Sequence, residues 1–186
     1  TREFVEAARA QPGKITFGSG GNGSPAHLLG EGFRQSARLD LLHVPFKEIS
    51  QMYGSISSGD DDWGMASIGS AGALMRAGKL RFIAIADDAR SAALPDVPTL
   101  EEAGGPKGIE ARAWVSLVAP KGTPAAVVEV LNRSLNDALK QPDVIEKMAG
   151  IGFLPLALTP AALTNLIDRE TRVYADMVKR TGASVD

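Results

Sequence analysis

Short apolar runs alternate along the chain with longer stretches whose apolar residues recur every three or four positions. The runs suit strands buried on both faces, the longer stretches suit amphipathic helices, and their alternation suits a parallel sheet covered by helices. Residues 15–18, 41–46, 63–68 and 81–86 read as four strands spaced by about one strand-helix unit each, and 114–119 and 154–158 read likewise. Helix starts are marked where a hydroxyl residue precedes proline, because the hydroxyl caps free N–H groups and the ring pre-sets the first φ. Ser24-Pro25, Thr123-Pro124 and Thr159-Pro160 carry that signature, while Thr99 with Glu102 and Asp143 with Glu146 have capping-box spacing. Gly78, Gly104 and Gly182 stand where helices should end. The last helix, about 160–181, places Leu163, Leu166, Ile167, Tyr174, Met177 and Val178 on one stripe expected to face the core.

Periodicity breaks between residues 89 and 113, around Leu94-Pro95-Asp96-Val97-Pro98 and Gly104-Gly105-Pro106, which reads as a segment crossing between two lobes. Composition narrows the function. Twenty Lys and Arg against 22 Asp and Glu leave a net charge of -2, which offers no basic field for nucleic acid. With no Cys, and with His27 and His43 as the two histidines, neither a structural zinc site nor a redox dithiol can be built. No apolar run reaches the ~20 residues of a membrane helix, and the first residues mix charge with alanine instead of forming a signal core. Asp60-Asp61-Asp62 reads as a solvated turn, since three consecutive carboxylates do not converge on a cation without a looped backbone.

The informative stretch is Gly18-Ser19-Gly20-Gly21-Asn22-Gly23-Ser24-Pro25, directly after a strand and before a capped helix. Gly18, Gly20 and Gly23 satisfy the G-x-G-x-x-G of dinucleotide-binding folds, so an NAD-binding oxidoreductase is the rival function. Against it, the second strand ends in Val44-Pro45-Phe46 without the acid that holds a ribose, and the helix starts only after the third glycine. Nucleophilic catalysis by Ser19 or Ser24 with His27 lacks a G-x-S-x-G elbow and an acid placed to orient the imidazole. A third reading needs only the backbone: small residues at a helix N-terminus present several N–H donors at the positive end of the helix dipole, which favours an anion. A merely tight strand-to-helix turn explains the same residues without any ligand. His43, near a strand end, suits either a packed, hydrogen-bonded residue or one facing the cleft, and Phe17, Phe46 and Trp63 suit the core.

From this loop onward the sequence resembles the Bug family of extracytoplasmic solute receptors, the binding proteins of tripartite tricarboxylate transporters. GSGGNGSPAH at 18–27, HVPFK at 43–47, AGKLR at 77–81, PDVPT at 95–99, Trp114 and APKGTP at 119–124 carry the resemblance, which extends over nearly the whole chain. It implies an α/β, type 2 periplasmic-binding-protein-like architecture: one Rossmann-like lobe plus the C-terminal part of a second lobe. Residues 12–112 would form the complete second ligand-binding lobe, with 1–11 and 113–186 belonging to a first lobe whose N-terminal part lies outside this chain. It further implies no catalysis, no cofactor and no metal, a periplasmic location reached by a signal peptide absent from this chain, a small carboxylate ligand and the transporter's membrane components as partners. Position by position, the ligand contacts carried over are Ser19, Gly20, Gly21, Asn22, Gly23, Ser24 and His27.

Departures from the family pattern bear on selectivity. Glu48 stands where glycine usually follows HVPFK, and a carboxylate beside an anion site repels the ligand unless it points away or meets an amine or hydroxyl. Asp61 precedes Asp62 where an apolar residue is usual, and Ala66-Ser67 replaces an Asp-Asn pair. A half-lobe would also leave the run 114–119 with an open edge and two helices with open apolar faces, which favours a homodimer or a lobe repacked around fewer strands.

Overall fold

The computed structural model describes residues 1–109 and 114–182. Its sheet is built around β1 (Thr16–Ser19), with β2 (Leu42–Pro45) and β3 (Trp63–Gly64) parallel on either side in the order β2-β1-β3. The register runs from Thr16↔Leu42 to Ser19↔Pro45 on one side and through Phe17↔Trp63 and Gly18↔Gly64 on the other. Parallel neighbours need long crossovers, supplied by α2 (Pro25–Ala37) between β1 and β2 and α3 (Ile49–Ser58) between β2 and β3. The chain therefore leaves β1 in one direction and returns across it in the other, making the carboxyl end of β1 a topological switch point. The α/β fold with a parallel sheet read from the sequence is the one found.

Alternation along β1 assigns its two faces. Phe17, fully buried, joins Leu29 and Phe33 of α2 and Val5 and Ala8 of α1 (Arg2–Ala10) in the larger core. Gly18 turns the other way, toward Met52 of α3, in a smaller core with Tyr53 and Ala71 of α4 (Ile68–Arg76). A Cβ at Gly18 would lie 2.5 Å from Met52 Cγ, and one at Gly64 would lie 3.0 Å from its sulfur, so both glycines are where α3 comes close to the sheet.

Local signals performed as chemistry dictates at two of the three hydroxyl-proline starts. Ser24 caps α2, accepting from the His27 N–H at 3.3 Å, and Thr159 caps α7 (Pro160–Thr181), accepting from Ala162 N–H at 3.2 Å. At Thr123 the hydroxyl instead donates to the Pro120 carbonyl in the preceding turn, and α5 (Ala125–Ala138) starts without a side-chain cap. Thr99 and Glu102 form their reciprocal pair at 2.8 and 3.1 Å, but on a turn rather than a helix. α6 (Pro142–Gly150) is capped at Gln141, two residues before the expected Asp143, which pairs with Lys147 instead. Gly182 closes α7 in the left-handed conformation.

Four strand expectations need correction. β3 stops at Gly64 because Ser67 caps α4, so Ile68 opens a helix instead of ending a strand. Residues 81–86 do not join the sheet: Ile85 bridges in parallel to Thr99 through N–H···O bonds of 2.8 Å at each side. Residues 114–119 and 154–158 run extended with no ladder partner among the described residues, leaving Val115, Val118 and Leu154 with exposures of 85%, 81% and 77%. The stripe on α7 is core-facing only at Met177, which packs against the larger core: none of its residues is fully buried, and Leu163, Leu166 and Tyr174 line a cavity. The acidic turn departs as well. Ser55's carbonyl receives the N–H groups of Asp60 and Asp61, folding the turn back so that Asp61 is buried, while Asp62 binds the N–H and hydroxyl of Thr16. The expected lobe boundary at 112–113 lies outside the described residues.

Candidate functional site

The glycine loop leaves β1 at Ser19 and enters α2 at Pro25. Gly21 and Gly23 take positive φ of 106° and 74°, which side-chain-bearing residues adopt at a cost. These reversals fold the loop over Ser19, with Ser24 N–H closing a turn onto Gly21 O at 3.2 Å. A Cβ at Gly21 would press on the Phe46 carbonyl at 3.4 Å, and one at Gly20 would meet Ile49 at 3.7 Å, so the loop rests against the connection between β2 and α3.

Ser19 is fully buried, and its hydroxyl is occupied internally: it lies 2.7 Å from His43 Nε2, accepts from Gly21 N–H at 3.2 Å and sits 3.1 Å from Gly21 O. His27, also buried, accepts the Gly23 N–H on Nδ1 at 3.0 Å. The two imidazoles stack at 4.0 Å with 15° between planes, and Phe17 lies 4.8 Å from His43. Of the two roles open to His43, the structure thus shows the packed, hydrogen-bonded one. Burial lowers both imidazole pKa values, that of His43 to about 4 with a further push from His27; Glu31 opposes the shift at both rings. Both rings are therefore neutral at pH 7.

What the loop leaves free is backbone. Gly20, Asn22 and Ala26 N–H groups have no hydrogen-bond partner among the described residues, at the N-terminus of a thirteen-residue helix with no acid in its first turn. Gly20, Ser24, Pro25 and Ala26 line a broad cavity of about 2060 Å³, and Asn22 is exposed at the loop's tip. Glu48 lines the same cavity from the start of α3, where it is exposed and its N–H donates to Gln51 Oε1 at 3.4 Å. Ala26 is not among the residues that the motif singles out. The signal was available, since the first N–H groups of any helix lack partners.

The residues expected around the loop are thus all brought together, but with different work. Ser19, Ser24 and His27 hold the loop and the helix start, whereas Gly20 and Asn22 offer free donors. Serine-histidine catalysis with His27 is not what the geometry offers, because the imidazole on Ser19 belongs to His43 and the hydroxyl is sealed from solvent. A dinucleotide would find Gly23 ahead of the Ser24 cap and Pro45 at the end of β2. Among the described residues no group of three or more His, Cys, Asp or Glu is placed to hold a metal ion, and no helix is long and apolar enough to cross a membrane.

Set against known families, residues 1–183 match the Tripartite tricarboxylate transporter family receptor. The chain belongs to that family. It is a family of solute-binding receptors, not of enzymes, and similar solved structures include the periplasmic binding protein BugD and a periplasmic transporter. The receptor is 34% identical over 176 residues to the UPF0065 protein of the tcbD-tcbE intergenic region of Pseudomonas sp. (strain P51), covering 95% of this chain and 52% of the relative. It is 31% identical over 186 residues to Protein BugT of Bordetella pertussis, covering 98% and 56%. Its fold superposes on R. palustris Rpa4515 with adipate at a TM-score of 0.91, with 25% identity over 99% of this chain and 61% of that one. MatC from Rhodopseudomonas palustris with bound malate superposes at 0.83, with 29% identity over 95% and 61%. The chain thus spans about half the length of these two curated relatives.

Proposed function

We propose that this receptor captures a small carboxylate in the periplasm for the membrane components of a tripartite tricarboxylate transporter. The observation that carries the proposal is the set of unpartnered N–H groups at Gly20, Asn22 and Ala26 beside an open cavity. Backbone donors at a helix N-terminus suit a carboxylate oxygen without a counter-cation, and ordered water bridges the remaining distances. Adipate and malate in two relatives supply the chemical class. Gly21, Gly23, Ser19, Ser24 and His27 shape the site, and residues 12–112 act as the lobe that carries it, with 1–11 and 113–186 contributing to the other. Extended apolar segments around Val118 and Leu154 belong to the same proposal: exposed patches of this kind favour association, here as a homodimer.

The test is a thermal-shift panel on the chain with malate, adipate, citrate and glutamate, with NADH as the rival. A ligand at a hundred times its Kd stabilises by about 2.7 kcal/mol, so at least one acid should raise the melting temperature clearly. A shift with NADH and none with any carboxylate would overturn the proposal in favour of the dinucleotide reading of Gly18, Gly20 and Gly23.

A further inference from the structure

We infer that His27 and His43 are positioning residues that brace the glycine loop from behind, and that the brace holds only while His27 is neutral. The inference rests on the loop being the anion site proposed above.

Hydrogen-bond polarity fixes the His27 tautomer. Gly23 N–H points at Nδ1 of His27 at 3.0 Å, which requires a lone pair there and puts the imidazole proton on Nε2. A proton added at Nδ1 would set two donors against each other, so the His27 cation is incompatible with the loop as folded. The link at the other end behaves differently. Ser19 Oγ accepts from Gly21 N–H at 3.2 Å, and its one hydrogen can go either to Gly21 O at 3.1 Å or to His43 Nε2 at 2.7 Å. The arrangement that satisfies them has Nε2–H donating to Oγ and Oγ–H donating to Gly21 O. It survives protonation of His43 at its far nitrogen, so His27 is the sensitive member of the pair.

The surroundings keep that member neutral. The other imidazole is stacked 4.0 Å away, so charging both rings brings two cations face to face. Glu31, one turn further along α2, is the carboxylate acting on both rings, and it is itself held by Arg34 at 2.7 Å. Burial outweighs it at both rings, which lowers their affinity for protons. Acidification therefore strikes the loop through His27: Gly23 loses its acceptor, and the turn that presents Gly20 and Asn22 loses its tie to the His27 ring. In this role His27 acts through the backbone donors and does not itself touch the ligand.

The experiment joins two readouts. Long-range proton-nitrogen spectra of the ¹⁵N-labelled wild-type chain at pH 7.5 should show His27 as the Nε2–H tautomer, with the Gly23 amide shift following its titration. Malate and adipate affinities are then measured from pH 8 to pH 5 for wild type, His27→Gln and His27→Ala. Glutamine has an oxygen to accept the Gly23 N–H and takes up no proton in this range. It should bind more tightly at pH 7.5 than His27→Ala does and should lack the additional drop, about tenfold for one lost hydrogen bond, that wild type shows on acidification. Because the same ligands titrate in every sample, their own protonation cancels in the comparison. The Nδ1–H tautomer, or an unchanged acid step in His27→Gln, would overturn the brace. Should neither acid bind at any pH while Gly23 still follows His27, the receptor reading fails and the brace stands.

Discussion

Replacing Gly30 by Ala places two effects of opposite sign on one helix. Alanine is favoured over glycine in a helix interior by about 1 kcal/mol. At Gly30 the new Cβ would lie 2.5 and 2.7 Å from two ring carbons of Phe17, distances real atoms do not tolerate. Relief by ring movement is blocked, since Phe17 is fully buried between His43 at 4.8 Å and Trp63 at 5.6 Å. Overpacking of a filled core costs about 1–3 kcal/mol, so Gly30→Ala should be neutral to destabilising by about 2 kcal/mol. Gly32→Ala, two residues along the same helix, is the control, because nothing stands within 4 Å of its Cβ. It keeps the propensity gain alone, and the two variants should differ by the overpacking cost of about 1–3 kcal/mol. Urea unfolding reads this as a midpoint difference of about 0.5–1.5 M for a slope near 2 kcal/mol/M. Equal midpoints would show that α2 is not seated on Phe17 as described, and the position of the loop would lose its support.

Ser24→Ala should destabilise by about 1 kcal/mol through loss of the cap on His27 N–H, measured in the same assay. Stability should also fall on acidification: His43 titrates near 4 when folded and near 6.5 when unfolded, so unfolding takes up a proton between these values. The contribution is fully present above pH 6.5 and lost as pH falls toward 4. Its full size is about 3 kcal/mol, which solvent screening at this partly buried ring reduces to about 1–2 kcal/mol, and His43→Gln should flatten the slope. Light scattering on the purified chain should give the mass of a dimer, and Val118→Lys with Leu154→Lys should reduce it; a wild-type monomer would remove the self-association proposal.

How far the sequence could be read depended on whether the chemistry was local. The Ser24 and Thr159 caps act within three residues, and both were legible. The loop's position between a strand and a helix was legible for the same reason. Strand partnership is not local: 81–86 looks as apolar as 41–46, yet it pairs with Thr99 instead of entering the sheet. α1 gave no signal, because Thr1 makes no side-chain cap and its buried residues, Val5 and Ala8, are few. Within the site, donors could be anticipated but not the work of the side chains. His43 reaches Ser19 because the β1-β2 register places it opposite Phe17, a relation between residues 24 apart that no motif records.

The close approach of α3 to the sheet has a consequence for oxidation chemistry. Met52 is wholly enclosed, its Cγ over Gly18 and its sulfur over Gly64. The folded receptor thereby shields this thioether from peroxide, and the sulfoxide forms through opened molecules. Once formed, the polar, bulkier group no longer fits between the two glycines, so a single oxidation traps the chain out of its native state. Oxidation of Met52 under peroxide should therefore track how often the sheet and α3 part.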